Sequence, residues 1–183
     1  MRVDRLADGL WRWTAAEPAS GREGNAVYHE TPDGIVLIDP LIPVDAADAE
    51  RFWRALDRDV ERIGRPPVVA ATVPGRAVGA RAVRDRYAGT RIAATAPAPD
   101  LAAGDVLADG AELPGGVTVI AADTGLLHCS CHGLLWTADL LDDPIALAPL
   151  IAQLTALHLS ALMPARGAPV VDDPVGWLAA HAR

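Results

Sequence analysis

Val68-Val69-Ala70-Ala71-Thr72, followed by Val73-Pro74-Gly75-Arg76-Ala77-Val78-Gly79, is the stretch that decides how this chain folds. Its first five residues are apolar or β-branched without polar alternation, as expected of a strand covered on both faces. A loop from Val73 to Val78 interrupts it and leads into a helix to Tyr87. Thr90 to Ala94 then returns as another strand, which makes one β-α-β unit with Val68 to Thr72 at the centre of a sheet.

Working towards the N-terminus, Pro66-Pro67 ends a helix that Asp45 can cap and that runs to about Arg62, with Ala49, Phe52, Trp53 and Leu56 on one apolar stripe. Before it, Asn25 to Glu30 and Ile35 to Asp39 flank the turn Thr31-Pro32-Asp33-Gly34, the clearest hairpin in the sequence. Arg2 to Leu6 and Leu10 to Thr14 read as two short strands around Asp8-Gly9. Towards the C-terminus, strands are expected at Val117 to Ala122, Leu126 to Cys131, Leu134 to Ala138 and Leu159 to Met163. Helices are expected from Pro144 to Leu157 and from Pro174 to Ala182. Hairpins enclosing β-α units imply two sheets packed face to face with helices outside, an α+β class of fold. No repeat or long linker divides the 183 residues, so one domain spanning 1–183 is expected.

Composition narrows the function classes. With 51% hydrophobic and 22% charged residues the chain is ordinary globular protein. Its net charge of −8 argues against nucleic acid, whose affinity for proteins comes largely from Lys and Arg neutralising phosphates. Arg76, Arg81, Arg84 and Arg86 read as a solvated helix face rather than a phosphate patch. No apolar run is long enough for a membrane span and Met1 to Gly9 lacks a secretion signal's apolar core, so a cytoplasmic protein is expected, with no membrane partner. Cys129 and Cys131 share one expected strand, where a mutual disulfide would be strained, so reduced thiols are expected. The sequence is compatible with a homodimer.

Three stretches resemble the metallo-β-lactamase superfamily. Gly24-Asn25-Ala26-Val27-Tyr28 through Ile35-Val36-Leu37-Ile38-Asp39-Pro40 is similar to that family's first hairpin and the Asp ending it. Val68 to Gly79 is similar to the strand, loop and helix that carry its first metal motif. Leu134-Leu135-Trp136-Thr137-Ala138-Asp139 is similar to the strand ending in its Gly-Asp. The resemblance implies an αββα four-layer sandwich with a site at one edge of the sheets, where hydrolases of the family hold one or two metal ions.

The metal motifs themselves are replaced. Family members follow the strand with Thr-His-x-His-x-Asp-His, because zinc needs several N and O donors converging at about 2.0–2.2 Å. Here Val73, Gly75, Ala77 and Val78 stand at the His, His, Asp and His positions, and Arg76 adds positive charge. Asp123, in Ala121-Ala122-Asp123-Thr124, stands for the histidine of Pro-Gly-His-Thr, and Arg166, in Pro164-Ala165-Arg166-Gly167, for that of Pro-x-His-Gly. Asp139 alone keeps a ligand type. The resemblance, so altered, implies no catalytic metal, no cofactor and no metal-bound hydroxide nucleophile. No Ser-His-Asp arrangement replaces it, and no catalytic residue is assigned.

The segment His128-Cys129-Ser130-Cys131-His132 has metal-binding residue types. On a strand, however, His128, Ser130 and His132 point one way and the cysteines the other, so the donors diverge unless the chain turns. The candidate site is therefore the vacated edge, formed by Asp39, Thr72, Arg76, Asp123, Asp139 and Arg166. Arg166 is expected within hydrogen-bonding reach of Asp139 or Asp123, either as a structural ion pair or as the holder of a small anionic ligand with Arg76. Three classes of function remain: a non-hydrolytic ligand-binding or accessory protein; an enzyme with an unusual or metal-independent site in the same pocket; and an interaction subunit presenting Trp11 and Trp13.

Overall fold

The structure, a computed structural model, describes residues 1–95 and 105–181. Seven strands form the first sheet: β1 (Arg2–Ala7), β2 (Leu10–Ala16), β3 (Glu23–Thr31), β4 (Gly34–Ile38), β5 (Val68–Ala71), β6 (Arg91–Ala94) and β7 (Asp105–Val106), adjacent in that order. β1 to β4 are antiparallel, while β4 to β7 run parallel, as the β-α-β reading of the Val68 stretch requires. The second sheet has the order β12 (Ala161–Pro164), β11 (Leu134–Ala138), β10 (Leu126–Cys129), β9 (Val117–Ala121) and β8 (Glu112–Leu113). The two-residue strands β7 and β8 are too short to carry a periodic signal in the sequence.

α1 (Ala46–Ile63) starts at Asp45, whose carboxylate accepts the Asp48 amide at 2.9 Å, and ends at Gly64 in a left-handed conformation. With α2 (Ala77–Arg86) it covers the outer face of the first sheet, burying Phe52, Leu56, Ala80 and Val83 against Trp13, Leu37, Val69 and Ile92. α3 (Pro144–Leu147), α4 (Ile151–Thr155) and α5 (Pro174–His181) cover the second sheet through Leu147, Leu154 and Leu178. Between the sheets lies a third apolar layer including Val27, Val36, Ala70, Val119, Leu127 and Trp136. The result is an αββα sandwich. None of its helices is long and apolar enough to cross a membrane among the described residues.

Two expectations need correction. The helix from Pro144 to Leu157 is broken by a 3-10 turn at Ala148–Leu150, where Pro149 supplies no amide hydrogen. The strand from Leu126 stops at Cys129, and residues 130–133 form a turn into β11. The expected end of the last helix, Ala182, lies outside the described residues.

One hydrogen-bonded chain joins the two sheets. Trp136 Nε1, from β11, donates to Thr72 Oγ1 at 2.9 Å, and that hydroxyl donates to the fully buried Asp39 carboxylate at the end of β4. Thr72→Val keeps the shape but leaves the indole donor unpaired and takes one donor from Asp39. Denaturant unfolding should show a loss of about 1–3 kcal/mol for Thr72→Val and a smaller loss for Thr72→Ser.

Candidate functional site

The loop after β5 sets the site's geometry. Asp39, in a left-handed conformation (φ 46°), accepts the amides of Thr72 at 2.7 Å and Val73 at 3.1 Å, which pins the start of that loop. A 3-10 turn over Pro74–Arg76 follows, with the Arg76 amide donating to Val73 O at 2.9 Å. The turn points Arg76 inward. This residue is 2% exposed and so does not belong to the solvated face expected for it with Arg81, Arg84 and Arg86.

Inside, Arg76 meets Glu17, a residue the sequence reading did not select. Arg76 Nη2 donates to Glu17 Oε1 at 2.6 Å and to Ala165 O at 2.6 Å, Nε donates to Glu17 Oε1 at 3.2 Å, and Nη1 donates to Asn25 O. Glu17 Oε2 in turn accepts Arg166 Nε at 3.1 Å and Nη2 at 3.0 Å, and Ser20 Oγ at 2.8 Å. Arg166 Nη1 reaches outward to Asp139 Oδ1 at 2.8 Å. The charges alternate along the row Arg76, Glu17, Arg166, Asp139, from the buried interior to the half-exposed rim.

The backbone is arranged around this row. Gly24 lies so close that a Cβ there would meet Arg76 Nη2 at 2.4 Å and Glu17 Oε1 at 3.0 Å, so any larger residue would displace the pair. Asn25 ties the sheets together at the same edge, its Nδ2 donating to Pro164 O at 2.8 Å and Gly167 O at 2.9 Å. Burial alone would raise the Glu17 pKa, but the donors from Arg76, Arg166 and Ser20 outweigh it and hold the carboxyl at about 2. Burial pushes Asp39 the other way, above the ordinary carboxylate range, against the pull of Thr72 and Arg76.

The six residues named from the sequence thus divide into three sets. Arg76, Arg166 and Asp139 share the ion-pair row. Asp39 and Thr72 satisfy each other and hold the loop. Asp123 is exposed, and no hydrogen bond or ion pair joins it to Arg166 among the described residues. Glu17 was missed because it sits at a turn with no motif, although a buried Arg76 and a partly buried Arg166 facing one rim carboxylate leave a positive charge that needs a partner.

The positions that would carry metal ligands in the resembled first metal motif offer none here. Val73 is buried in the inter-sheet layer, Gly75 and Val78 are exposed, and Ala77 starts α2, none with a side-chain donor. The guanidinium of Arg166 already holds the Asp139 carboxylate, and Arg76 holds Glu17. Two fixed cations and committed carboxylates do not fit a zinc or iron ligand set. Neither a Glu held at about 2 nor an arginine serves as a general base at neutral pH.

No protein-family model matches the sequence, and no curated protein matches it. Solved structures do. The chain superposes on the DIM-1 metallo-β-lactamase at TM-score 0.72 and 10% identity, covering 99% of this chain and 94% of that one. It also superposes on a metallo-β-lactamase from Erythrobacter litoralis at 0.60 and 13%, covering 98% and 91%. The chain has the metallo-β-lactamase fold. A flavoprotein from Thermotoga maritima matches at 0.65 and 18% over 99% of this chain and 60% of its own. Within this fold the ion-pair row occupies the edge where β4, β5, β11 and β12 end.

Glu17 should govern the acid limb of stability. Its folded pKa lies below the ordinary value of 4.5, so its contribution is complete above that pH and is lost as pH falls from about 4.5 towards 2. Urea unfolding across that range should therefore steepen in the native chain and flatten in Glu17→Gln. At neutral pH, Arg76→Ala, which takes from the buried Glu17 the more deeply buried of its two cations, should cost about 3–5 kcal/mol.

Proposed function

We propose that this is a non-hydrolytic member of the metallo-β-lactamase fold, in which an ion-pair row stands in place of the catalytic metal and the protein serves as a ligand-binding or accessory protein. The observation that carries this reading is the Glu17 carboxylate bound by both Arg76 and Arg166. Hydrolases that work through metal hydroxide need a cation with an open coordination position. Guanidinium groups supply charge but no such position.

The interaction-subunit alternative has less support. Trp13 is 4% exposed, packs on Phe52 and donates its indole hydrogen to Leu41 O at 2.8 Å. Trp11 is half-buried, edge-on to Tyr28. Trp13 is therefore not presented to a partner.

The rim supports a small anion as ligand. Arg76 is committed to four acceptor contacts, whereas the Arg166 side chain is 26% exposed and its outward Nη1 donates, among the described residues, to Asp139 alone, itself 44% exposed. An anion of phosphate or carboxylate type would take the place of Asp139 on that nitrogen.

Purified protein should hydrolyse neither β-lactams nor thioesters above the buffer rate, with or without added zinc. A zinc-dependent rate abolished by Asp139→Ala would overturn the reading. Inorganic phosphate should raise the melting temperature, more strongly in Asp139→Ala and not at all in Arg166→Ala. Equal responses in all three would refute the anion site.

A further inference from the structure

At the opposite end of the sandwich, the turn at residues 130–133 brings Cys131 and His132 back beside Cys129, and all three meet His29 from the other sheet. His128 and Cys129 do alternate, His128 away from the inter-sheet layer and Cys129 within it, but the turn re-aims Cys131 and His132. Cys129 Sγ lies 3.3 Å from Cys131 Sγ and 3.6 Å from His29 Nε2, and Cys131 Sγ lies 3.8 Å from that nitrogen. The His132 ring stands edge-on to His29 with centroids 5.3 Å apart, and one donor atom from each of the four residues falls within 4.8 Å of the others.

The distances among Cys129 Sγ, Cys131 Sγ and His29 Nε2 are close to those of a tetrahedral metal site. With zinc–sulfur bonds of about 2.3 Å and zinc–nitrogen bonds of about 2.0–2.1 Å, donors around zinc stand about 3.4–3.8 Å apart. A disulfide does not describe the sulfur pair, since a bonded pair lies at about 2.05 Å and leaves both imidazoles without a part. His29 is 1% exposed; the Nε2 that faces both sulfurs also has Gly115 O at 3.1 Å, and Nδ1 is buried with no hydrogen-bond partner among the described residues.

The surroundings are shaped to this cluster. Gly115, at φ +78°, lets the β8–β9 turn close over His29, where a Cβ would meet Thr31 Cγ2 at 2.3 Å and His29 Nε2 at 2.7 Å. The cysteine-bearing turn is fixed by Ser130, whose amide and hydroxyl both donate to Gly116 O at 3.2 Å, and by the His132 amide donating to Cys129 O at 3.3 Å. Cys129 and His29 are buried while Cys131 is exposed, which gives an ion a way in. Along β3, His29 lies about 14 Å from Asn25 of the ion-pair edge, at ~3.4 Å per residue.

We propose that His29, Cys129, Cys131 and His132 bind one zinc ion in a closed Cys2His2 site that fastens the two sheets together at the end remote from Arg166. Two imidazoles and two thiolates fill a tetrahedral shell, the two thiol protons pass to solvent, and no position is left for substrate, so the site is structural. The cysteines and His132 come from the five-stranded sheet and His29 from the seven-stranded one. The ion therefore closes a contact that neither sheet makes alone. The proposal is independent of the function assigned to the opposite edge.

The test is metal titration of the full-length chain, made without an affinity tag, stripped with chelator and reduced. Zinc should bind at one equivalent per chain and raise the melting temperature. Cobalt(II) should give thiolate-to-metal charge transfer and the intense visible bands of tetrahedral geometry. Cys131→Ser, at an exposed position, and His132→Gln should each weaken zinc binding at least 10-fold, while Arg166→Ala should leave the stoichiometry at one. Absence of the charge-transfer band with both thiols free would overturn the site, as would an isolated Cys129–Cys131 disulfide whose reduced form takes up no zinc. Loss of the bound equivalent in Arg166→Ala but not in Cys131→Ser would place any metal at the other edge and equally overturn it.

Discussion

A carboxylate buried between two guanidinium groups governs one whole edge of this protein. Glu17, 5% exposed, is tolerable only because Arg76 and Arg166 approach its two oxygens from opposite sides, and Arg76 is tolerable only because Glu17 and two carbonyls accept its donors. Much local geometry follows from that need. The turn after β2 doubles back so that Ser20 reaches Glu17, Gly24 gives up its side chain to make room, and the Pro74–Arg76 turn carries Arg76 inward. Each feature brings a donor to one anion, or keeps bulk away from it.

The same edge also depends on Asp39, whose carboxylate bonds the loop that delivers Arg76. Asp39 and Glu17 are both buried acids, yet their environments push them apart. Asp39 is surrounded by neutral donors and is pushed up by burial, whereas charged donors pull Glu17 down. Asp39 therefore serves the backbone and Glu17 serves the charge balance. The far edge follows a different logic, with soft sulfur and imidazole donors gathered across both sheets rather than paired fixed charges. The two edges join the same pair of sheets by different chemistry, and the apolar layer between them keeps them separate.

What the sequence disclosed depended on whether a signal was local. The Val68 strand, the Asp33-Gly34 hairpin and the Asp45 cap were legible because propensity and period act within a few residues. The Arg166 to Asp139 contact was legible because two positions of a resembled motif converge in the fold. Glu17 and His29 were not, since each acts on residues far along the chain: Arg76 and Arg166 for Glu17, Cys129 to His132 for His29. The cysteine motif was misread for a related reason. Strand alternation held through Cys129, but the chain turned at the next residue, and a turn containing Ser130 and ending at Gly133 competes well with extension there. Asp123 was placed by the weakest motif match and stands apart from the row.

Glu17 and Arg166 should be energetically joined at the edge where β4, β5, β11 and β12 end. A double-mutant cycle on Glu17→Gln and Arg166→Met, read by urea unfolding at neutral pH in the presence of chelator, measures that join directly. The second substitution should cost less in the presence of the first, with a coupling of about 1 kcal/mol or more. Costs that add to within about 0.3–0.5 kcal/mol would mean that the two charges do not depend on each other, and would contradict that coupling.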